Sequence, residues 1–480
     1  MRRAHSVGKV RASERALMAL VPEGMLMRRA AAGLATVCAG LLGRVYGSEV
    51  VLLVGSGDNG GDVLYAGARL ARRGARVTAV LAGSKVHTDG LAALLAAGGR
   101  SGGEAEIPAL LDRAELVIDG LTGIGGRGAL REPYAGLALA LRDRAATVVA
   151  CDLPSGVDAD TGEVQGAAVR ADVTVTFGTY KPGLLIDPGA SYCGVVELVD
   201  IGLDLPAPDV VAASARDVRP PQATAESDKY RRGVIGVLAG SEEYPGAAVL
   251  STGGAIHGGA GMVRFAAAQG VVDLVRQRWP EAITTVLGSL TGVGRVQAWV
   301  AGPGLGTGAP AEELIEAVLR TDLPVLIDAD GLTVLARRRD LLDRGAPTVL
   351  TPHAGELARL LGTGRAQIEA RRLEHVRRAA AELGAIVLLK GSTTLIAEQG
   401  LPVRVNPTGT PRLATAGSGD VLSGLIGAFL AGGLPAIDAA TAGAYLHGVA
   451  GHLAAGDPGG APISSADLVT ALPAAFRTLA

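Results

Sequence analysis

Two parts of the sequence hold residue types that could do chemistry. In ATAGSGDVLSG, Ala414 to Gly424, glycines surround one carboxylate, Asp420, directly ahead of an apolar run. Glycines let successive backbone N–H groups converge on an anion, and the helix that starts here adds its positive end. Such a nest would stabilise charge on a transferred phosphoryl group, with Asp420 placed to take a proton from a neighbouring hydroxyl. The N–H donors at the helix start are expected to hold the Asp420 carboxyl low, hence ionised. A lone GSGD would more often be only a capped helix start. Here KGSTT, Lys390 to Thr394, supplies a second glycine–hydroxyl cluster after the apolar strand AIVLLKG, and WVAGPGLGTG and LTPHAGE (His353, Glu356) also follow strands.

The second part lies in the first half of the chain. EVVLLVG runs into GSGDNGGDVLYAGARL, where glycines permit a sharp turn and Asp58, Asn59 and Asp62 put oxygen-bearing side chains at one strand end. Two further strand ends carry the same kind of group: Asp119 in ELVIDG, and Asp152 in TVVACD with Ser155 three residues on. Their oxygens are hard ligands, suited to an alkali or alkaline-earth cation and poor for zinc. Any one of them would ordinarily cap a helix or shape a turn; together they favour a site.

Composition narrows the classes. With 480 residues, 48% hydrophobic and 19% charged, the chain suits two or three globular domains. A net charge of −2 gives no electrostatic case for nucleic acid or a membrane surface, and neither partner is expected. Scattered Cys38, Cys151 and Cys193 fit a reducing compartment, and the N-terminus lacks a continuous apolar run, so a cytoplasmic protein is expected. VLSGLIGAFLAGGLPAI reads as a core helix and a turn. Only five of the 45 basic residues are lysine, which singles out Lys181 in TYKPG and Lys390.

The elements that must hold these residues alternate. EVVLLVG, RVTAVLA, ELVIDG and TVVACD are separated by segments with helical spacing, which predicts βαβ units and a mostly parallel sheet. The pattern breaks at a stretch rich in Pro, Ala and Asp, then resumes with GVIGVLAG, QAWVAG, PVLIDAD, PTVLTPH and AIVLLKG, each expected to lead into a helix. The reading is α/β with two unlike domains, at 1–207 and 225–480, joined by a linker at 208–224. In open parallel sheets ligands sit beyond the carboxyl ends of the strands, so the segments just after these strands are where chemistry is sought.

DNGGDVLYAGARL, DGLTGIGGRG, CDLPSGVDADTG and TFGTYKPGLL, in this order, resemble the epimerase domain of the NAD(P)H-hydrate repair enzymes, a Rossmann-like αβα sandwich. The resemblance implies that Asp58, Asn59, Gly60, Gly61 and Asp62, with Gly123, Ile124, Gly125, Gly126, Arg127, Gly128 and Ala129, contact the hydrated nucleotide. It also implies that Asn59, Asp119 and Ser155 hold a potassium ion, that Asp152 binds substrate near the reacting ring, and that Lys181 assists as a charge or proton partner. The family usually carries Glu where Arg28 stands and often Asn where Asp58 stands.

KYRRGVIGVLAGS, AGPGLG, TPHAGE, KGSTT and NPTGTPRLATAGSGDVLSG resemble the ADP-dependent (S)-NAD(P)H-hydrate dehydratase domain, which is ribokinase-like. By that resemblance Ala255, Gly304, His353 and Asp420 contact the hydrated nicotinamide nucleotide, with Asp420 as base. Lys390, Gly391, Ser392, Thr393, Thr394 and Gly419 would hold ADP or ATP, with magnesium. The expected activity is epimerisation of NADHX and NADPHX followed by dehydration of the S form, and a homo-oligomer is expected. GSGD alone also fits a ribokinase-like small-molecule kinase with an N-terminal nucleotide-binding regulatory domain.

Overall fold

The run EVVLLV alternates its side chains between two buried faces, as a central parallel strand must. In the computed structural model, which describes residues 1–142, 144–456 and 460–479, it forms the strand Glu49–Val54. Val50, Leu52 and Val54 pack against Leu34 and Cys38 of helix Met25–Leu41 and Leu64 of helix Asp58–Arg72. Val51 and Leu53 face Leu110, Leu111 and Leu137, carried by helices Ile107–Arg113 and Tyr134–Ala140 on the opposite side.

This αβα unit spans Arg3–Val210. Its seven strands are all parallel, in the order Arg100–Gly102, Arg76–Leu81, Glu49–Val54, Leu116–Gly120, Thr147–Cys151, Val173–Phe177 and Val195–Val199. Chain order reverses between Glu49–Val54 and Leu116–Gly120, and a crevice beyond such a reversal is where open sheets take ligands. Gly55 is required there, because a Cβ would stand 1.9 Å from the Leu121 carbonyl oxygen.

The other unit comprises Met1–Arg2 and Val211 onward. From Ile283–Val286 the order runs Met262–Ala267, Val234–Leu238, Ala298–Ala301, Val325–Ile327, Thr348–Leu350 and Ile386–Leu389, all parallel. AIVLLKG does not lead into a helix as expected. The β-branched TTLI forms Thr394–Ala397, which turns back antiparallel to Ile386–Leu389 and pairs with Val403–Asn406. The stretch 208–224 contains the strand Val210–Ala212, and the Ala213 N–H donates to the Val405 carbonyl at 3.1 Å.

VLSGLIGAFLA becomes the buried helix Ser418–Ala431, crossing helix Pro245–His257 at backbone distance. A Cβ on Gly424 would lie 2.0 Å from the Ser251 carbonyl oxygen, and one on Gly254 2.3 Å from that of Val421. The seam therefore requires glycine on both helices. Among the described residues no helix is long and apolar enough to cross a membrane.

Candidate active sites

In the Arg3–Val210 unit, the turn after Glu49–Val54 enters its helix through Gly57, whose φ of 99° suits glycine. Asn59 lies on the first turn and abuts the next loop: a Cβ on Gly123 would be 3.1 Å from its Cγ and Oδ1. On the far side of that loop, Ser155 Oγ accepts from the Thr122 N–H at 2.9 Å and donates to Asp119 Oδ1 at 2.7 Å. The Ser155 N–H donates to Asp119 Oδ2 at 2.8 Å. Asn59, Asp119 and Ser155 are thus gathered around Thr122 and Gly123 from three strand ends.

Asp119 is fully buried, and burial pushes its carboxyl up to about 6 even though the Ser155 and Leu121 donors oppose the rise. The side-chain oxygens gathered here are of carboxylate, amide and hydroxyl type, all hard donors.

Beside it, Asp152 adopts a left-handed backbone with φ of 65°, and Asp tolerates that conformation better than most residues. Its Oδ1 accepts from Thr176 Oγ1 at 3.0 Å and pairs directly with Lys181 Nζ. Lys181 is 1% exposed, and also donates to Thr176 Oγ1 at 2.9 Å and the Phe177 carbonyl at 3.0 Å. It is not an ordinary surface turn lysine. Asp62 belongs to the same cluster: burial, then the charges of Asp152, Asp58 and Glu14, raise its carboxyl well above the usual range. Asp62 Oδ1 and Asn59 Nδ2 are both buried and make no hydrogen bond within the protein. Gly60 and Gly61 serve packing, since side chains there would meet the Gly55 carbonyl at 2.4 Å and His87 at 2.9 Å. The loop Gly123, Ile124, Gly125, Gly126 rises from the same edge, and Arg127, Gly128 and Ala129 form its exposed outer end.

In the other unit the candidates gather beyond four neighbouring parallel strands. Gly302 meets Asp328 closely, a Cβ there lying 2.0 Å from the Asp328 carbonyl oxygen, and the Gly306 N–H donates to Asp330 Oδ2 at 2.9 Å. Gly304, with φ of 63°, leaves no room for a side chain beside Tyr244 and Ala247. His353 caps helix Ala354–Leu361: Nδ1 accepts the Gly355 and Glu356 N–H groups at 3.0 and 3.2 Å, so the ring proton sits on Nε2. Glu356 answers by accepting the His353 N–H at 2.8 Å, completing a reciprocal cap.

Lys390 Nζ stands 2.8 Å from Asp328 Oδ1 and 3.7 Å from Glu356 Oε2, and 3.3 Å from where a Cβ on Gly419 would be. Burial works against its charge, but Asp328 and Glu356 outweigh it and hold the amine above its ordinary range. Gly391 and Ser392 form an exposed turn, while Thr394 is buried and its hydroxyl is spent on the Gly391 carbonyl at 3.1 Å. Thr393 presents its carbonyl to Arg372.

The family described as YjeF-related protein N-terminus matches residues 23–183, and the family described as NAD(P)H-hydrate dehydratase matches residues 235–473. The bifunctional NAD(P)H-hydrate repair enzyme of Mycobacterium leprae is 48% identical over 490 residues, covering 100% of both chains. The chain belongs to the bifunctional NAD(P)H-hydrate repair enzyme family. A relative of the same description from Mycobacterium tuberculosis H37Rv is 50% identical, covering 92% of this chain and 91% of its own. Among solved structures, a ribokinase-like superfamily protein from Enterococcus faecalis is 27% identical, with a TM-score of 0.52 over 58% of this chain and 99% of that one. Fold class in this family member is therefore as the sequence implied: two α/β units, the second ribokinase-like.

One expectation for this repair-family chain is corrected. Asp420 is not held low by its helix: burial, then the charge of Asp328, drive it up to about 7, with Asp330 and Glu356 adding and Lys390 opposing. The Ala255 side chain is fully buried in the seam beneath Gly424. Sequence reasoning also passed over residues that matter locally. Asp328 sat inside the strand-like PVLIDAD, and Ser423 inside an apolar helix. Arg372 clamps the Lys390 hairpin by donating to the Leu389, Lys390 and Thr393 carbonyls at 3.3, 3.1 and 3.3 Å. Glu14, on the N-terminal helix Val7–Met18, has its carboxyl raised by burial while Lys181 opposes and Asp152 adds, which sets it at the Asp152 cluster. No motif around Glu14 signals this.

Proposed function

We propose that the chain repairs hydrated NAD(P)H in two steps, one in each unit. The Arg3–Val210 unit interconverts the R and S hydrates of NADH and NADPH. The unit from Val211 onward returns the S hydrate to the reduced cofactor at the expense of ADP. The observation that carries the reading is the convergence of Lys390, Gly419 and Asp420 at one sheet end: an ammonium and a helix N-terminus for an anionic phosphoryl group, with a base alongside.

Asp420 takes the proton of the substrate hydroxyl, whose oxygen attacks the terminal phosphorus of ADP, and the bond from that phosphorus to AMP breaks. The new phosphate ester leaves with its electron pair as inorganic phosphate. A proton is lost from the adjacent ring carbon, and the ring double bond returns. The products are NAD(P)H, AMP and phosphate. Lys390 to Thr394 and Gly419 steady the phosphates, and Gly304 and His353 flank the substrate. Magnesium bound with the nucleotide would offset the phosphate charge during transfer.

In the epimerase unit, Asp152 and Lys181 address the reacting ring, and Asp58 to Asp62 with the Gly123 loop bind the nucleotide. Asn59, Asp119 and Ser155 would hold potassium, which would supply a fixed positive charge there. The enzyme works in the cytoplasm as a homo-oligomer. Incubating the purified chain with mixed R and S hydrates, with and without ADP, tests the reading. Absorbance of the reduced ring should return fully, with release of phosphate, only when ADP is present. A stable phosphorylated product with no recovery of the ring would replace it with the small-molecule kinase.

A further inference from the structure

Resting on the dehydratase reading above, we propose that Asp328 is a positioning residue: its two carboxylate oxygens fix Lys390 against the start of helix Ser418–Ala431 and keep that ammonium from pairing with the base Asp420. The geometry is specific. Asp328 Oδ1 is 2.8 Å from Lys390 Nζ, and Oδ2 accepts from Ser423 Oγ at 2.7 Å. Ser423 lies one turn beyond Gly419, whose carbonyl is 3.0 Å from the same hydroxyl. One carboxylate thus ties a strand end both to the lysine and to the helix that carries Asp420.

The backbone around Asp328 is held as firmly as its side chain. The residue is 1% exposed, its N–H donates to the Ala301 carbonyl at 3.2 Å, and Gly302 closes over its carbonyl. The following Ala329 has φ of 50°, a left-handed conformation that an alanine holds only where its surroundings impose it.

A buried ion pair is a poor way to gain stability, since an apolar pair of similar volume commonly does as well. Its use here is placement. Without Asp328, Lys390 keeps Glu356 and Asp420 as its remaining carboxylate neighbours, and pairing with Asp420 would quench the base. With Asp328 in place, Lys390 is engaged yet still stands at the Gly419 turn, where phosphate oxygens meet it. The charged and titratable groups facing Asp420 are Asp328, Lys390, Asp330 and Glu356, with His353 and His447 also felt by Lys390's surroundings.

The test is Asp328→Asn in the full chain, assayed with S hydrate and ADP across pH. Turnover should fall by tenfold or more on the order expected for a misplaced catalytic group. The acid limb of kcat/KM should move to lower pH, because a negative neighbour of Asp420 is gone and Lys390 is freed towards it. ADP affinity measured by calorimetry without hydrate should also weaken. Ser423→Ala keeps the Asp328 charge and should lower turnover without moving the limb. Asp328→Glu, which keeps the charge and covers the case of a poorly folded amide variant, should leave the limb near its wild-type place. An unmoved limb with unchanged ADP affinity in Asp328→Asn, or equal displacement in all three variants, overturns the inference. Wild-type turnover, read separately, tests the dehydratase reading itself.

Discussion

The carboxylate of Asp152 and the ammonium of Lys181 are joined in a direct pair closed off from solvent, with Thr176 Oγ1 bridging the two at 3.0 and 2.9 Å. Their backbones come from the ends of adjacent parallel strands, Thr147–Cys151 and Val173–Phe177, so the sheet itself sets their separation. Truncating one partner leaves the other as an uncompensated buried charge.

Lys181→Met is therefore expected to cost about 3–5 kcal/mol of stability to the unit that holds it, in line with broken buried pairs. It should also remove most epimerisation. A thermal melt and an R-hydrate assay check both outcomes. A variant with unchanged melting and unchanged R-hydrate conversion would show that the pair does neither job.

Asp420→Asn should lower dehydration of S hydrate by about 10²-fold or more, the range typical of losing a positioned base, while epimerisation by the other unit continues. The wild type carries a pH signature as well. With the carboxyl pushed up to about 7 by burial and Asp328, the base is protonated and silent below that value. Dehydration should rise with pH through neutrality and level off above it. A profile already flat through the acid range would return Asp420 to an ordinary low value.

Replacing potassium with a large organic cation should weaken epimerisation, because Asp119, already pushed up to about 6 by burial, would lose a compensating charge that fits the space. Dehydration of purified S hydrate should be indifferent to the exchange. Equal epimerisation rates in the two salts would remove the cation from the Asn59, Asp119 and Ser155 cluster.

Much of this was legible in the chain because the chemistry hangs on strand ends. Short apolar runs closed by Asp119, Asp152 or Lys390 announce both a buried strand and the edge where it stops, and parallel order then brings distant residues such as Asp119 and Ser155 together. What local sequence does not carry is the environment that several elements make jointly. The helix start at Asp420 shows its N–H donors, but burial by the surrounding elements, with Asp328, Asp330 and Glu356 arriving from two other strand ends, reverses the expected sign. Ala255 looks available on a helix of small residues, and only the close crossing at Gly424 buries it. Glu14 sits in an unremarkable run of polar residues. Its helix is drawn in by long-range bonds, such as the Val7 N–H to Asp160 Oδ1 at 2.7 Å and Ser13 Oγ to the Asp204 carbonyl at 2.6 Å.

His447 offers a test of the dehydratase unit's acid sensitivity. It is buried on helix Ala436–Ala455, where its Nε2 lies 2.9 Å from the Ser418 carbonyl, just ahead of Asp420, and so acts as a neutral donor. Burial drives its imidazole down to about 4, against an ordinary value of 6.5. Because the unfolded chain binds this proton first, folding loses nothing on this account above about pH 6.5 and loses progressively more as pH falls towards 4. The full difference amounts to about 3 kcal/mol. His447→Gln keeps a donor but no titration, so its melting temperature should fall less than that of the wild type between about pH 7 and about pH 5. Carboxylates common to both proteins cancel in that comparison. Parallel declines in the two proteins would mean that His447 charges freely in the fold, and that its burial does not keep it neutral.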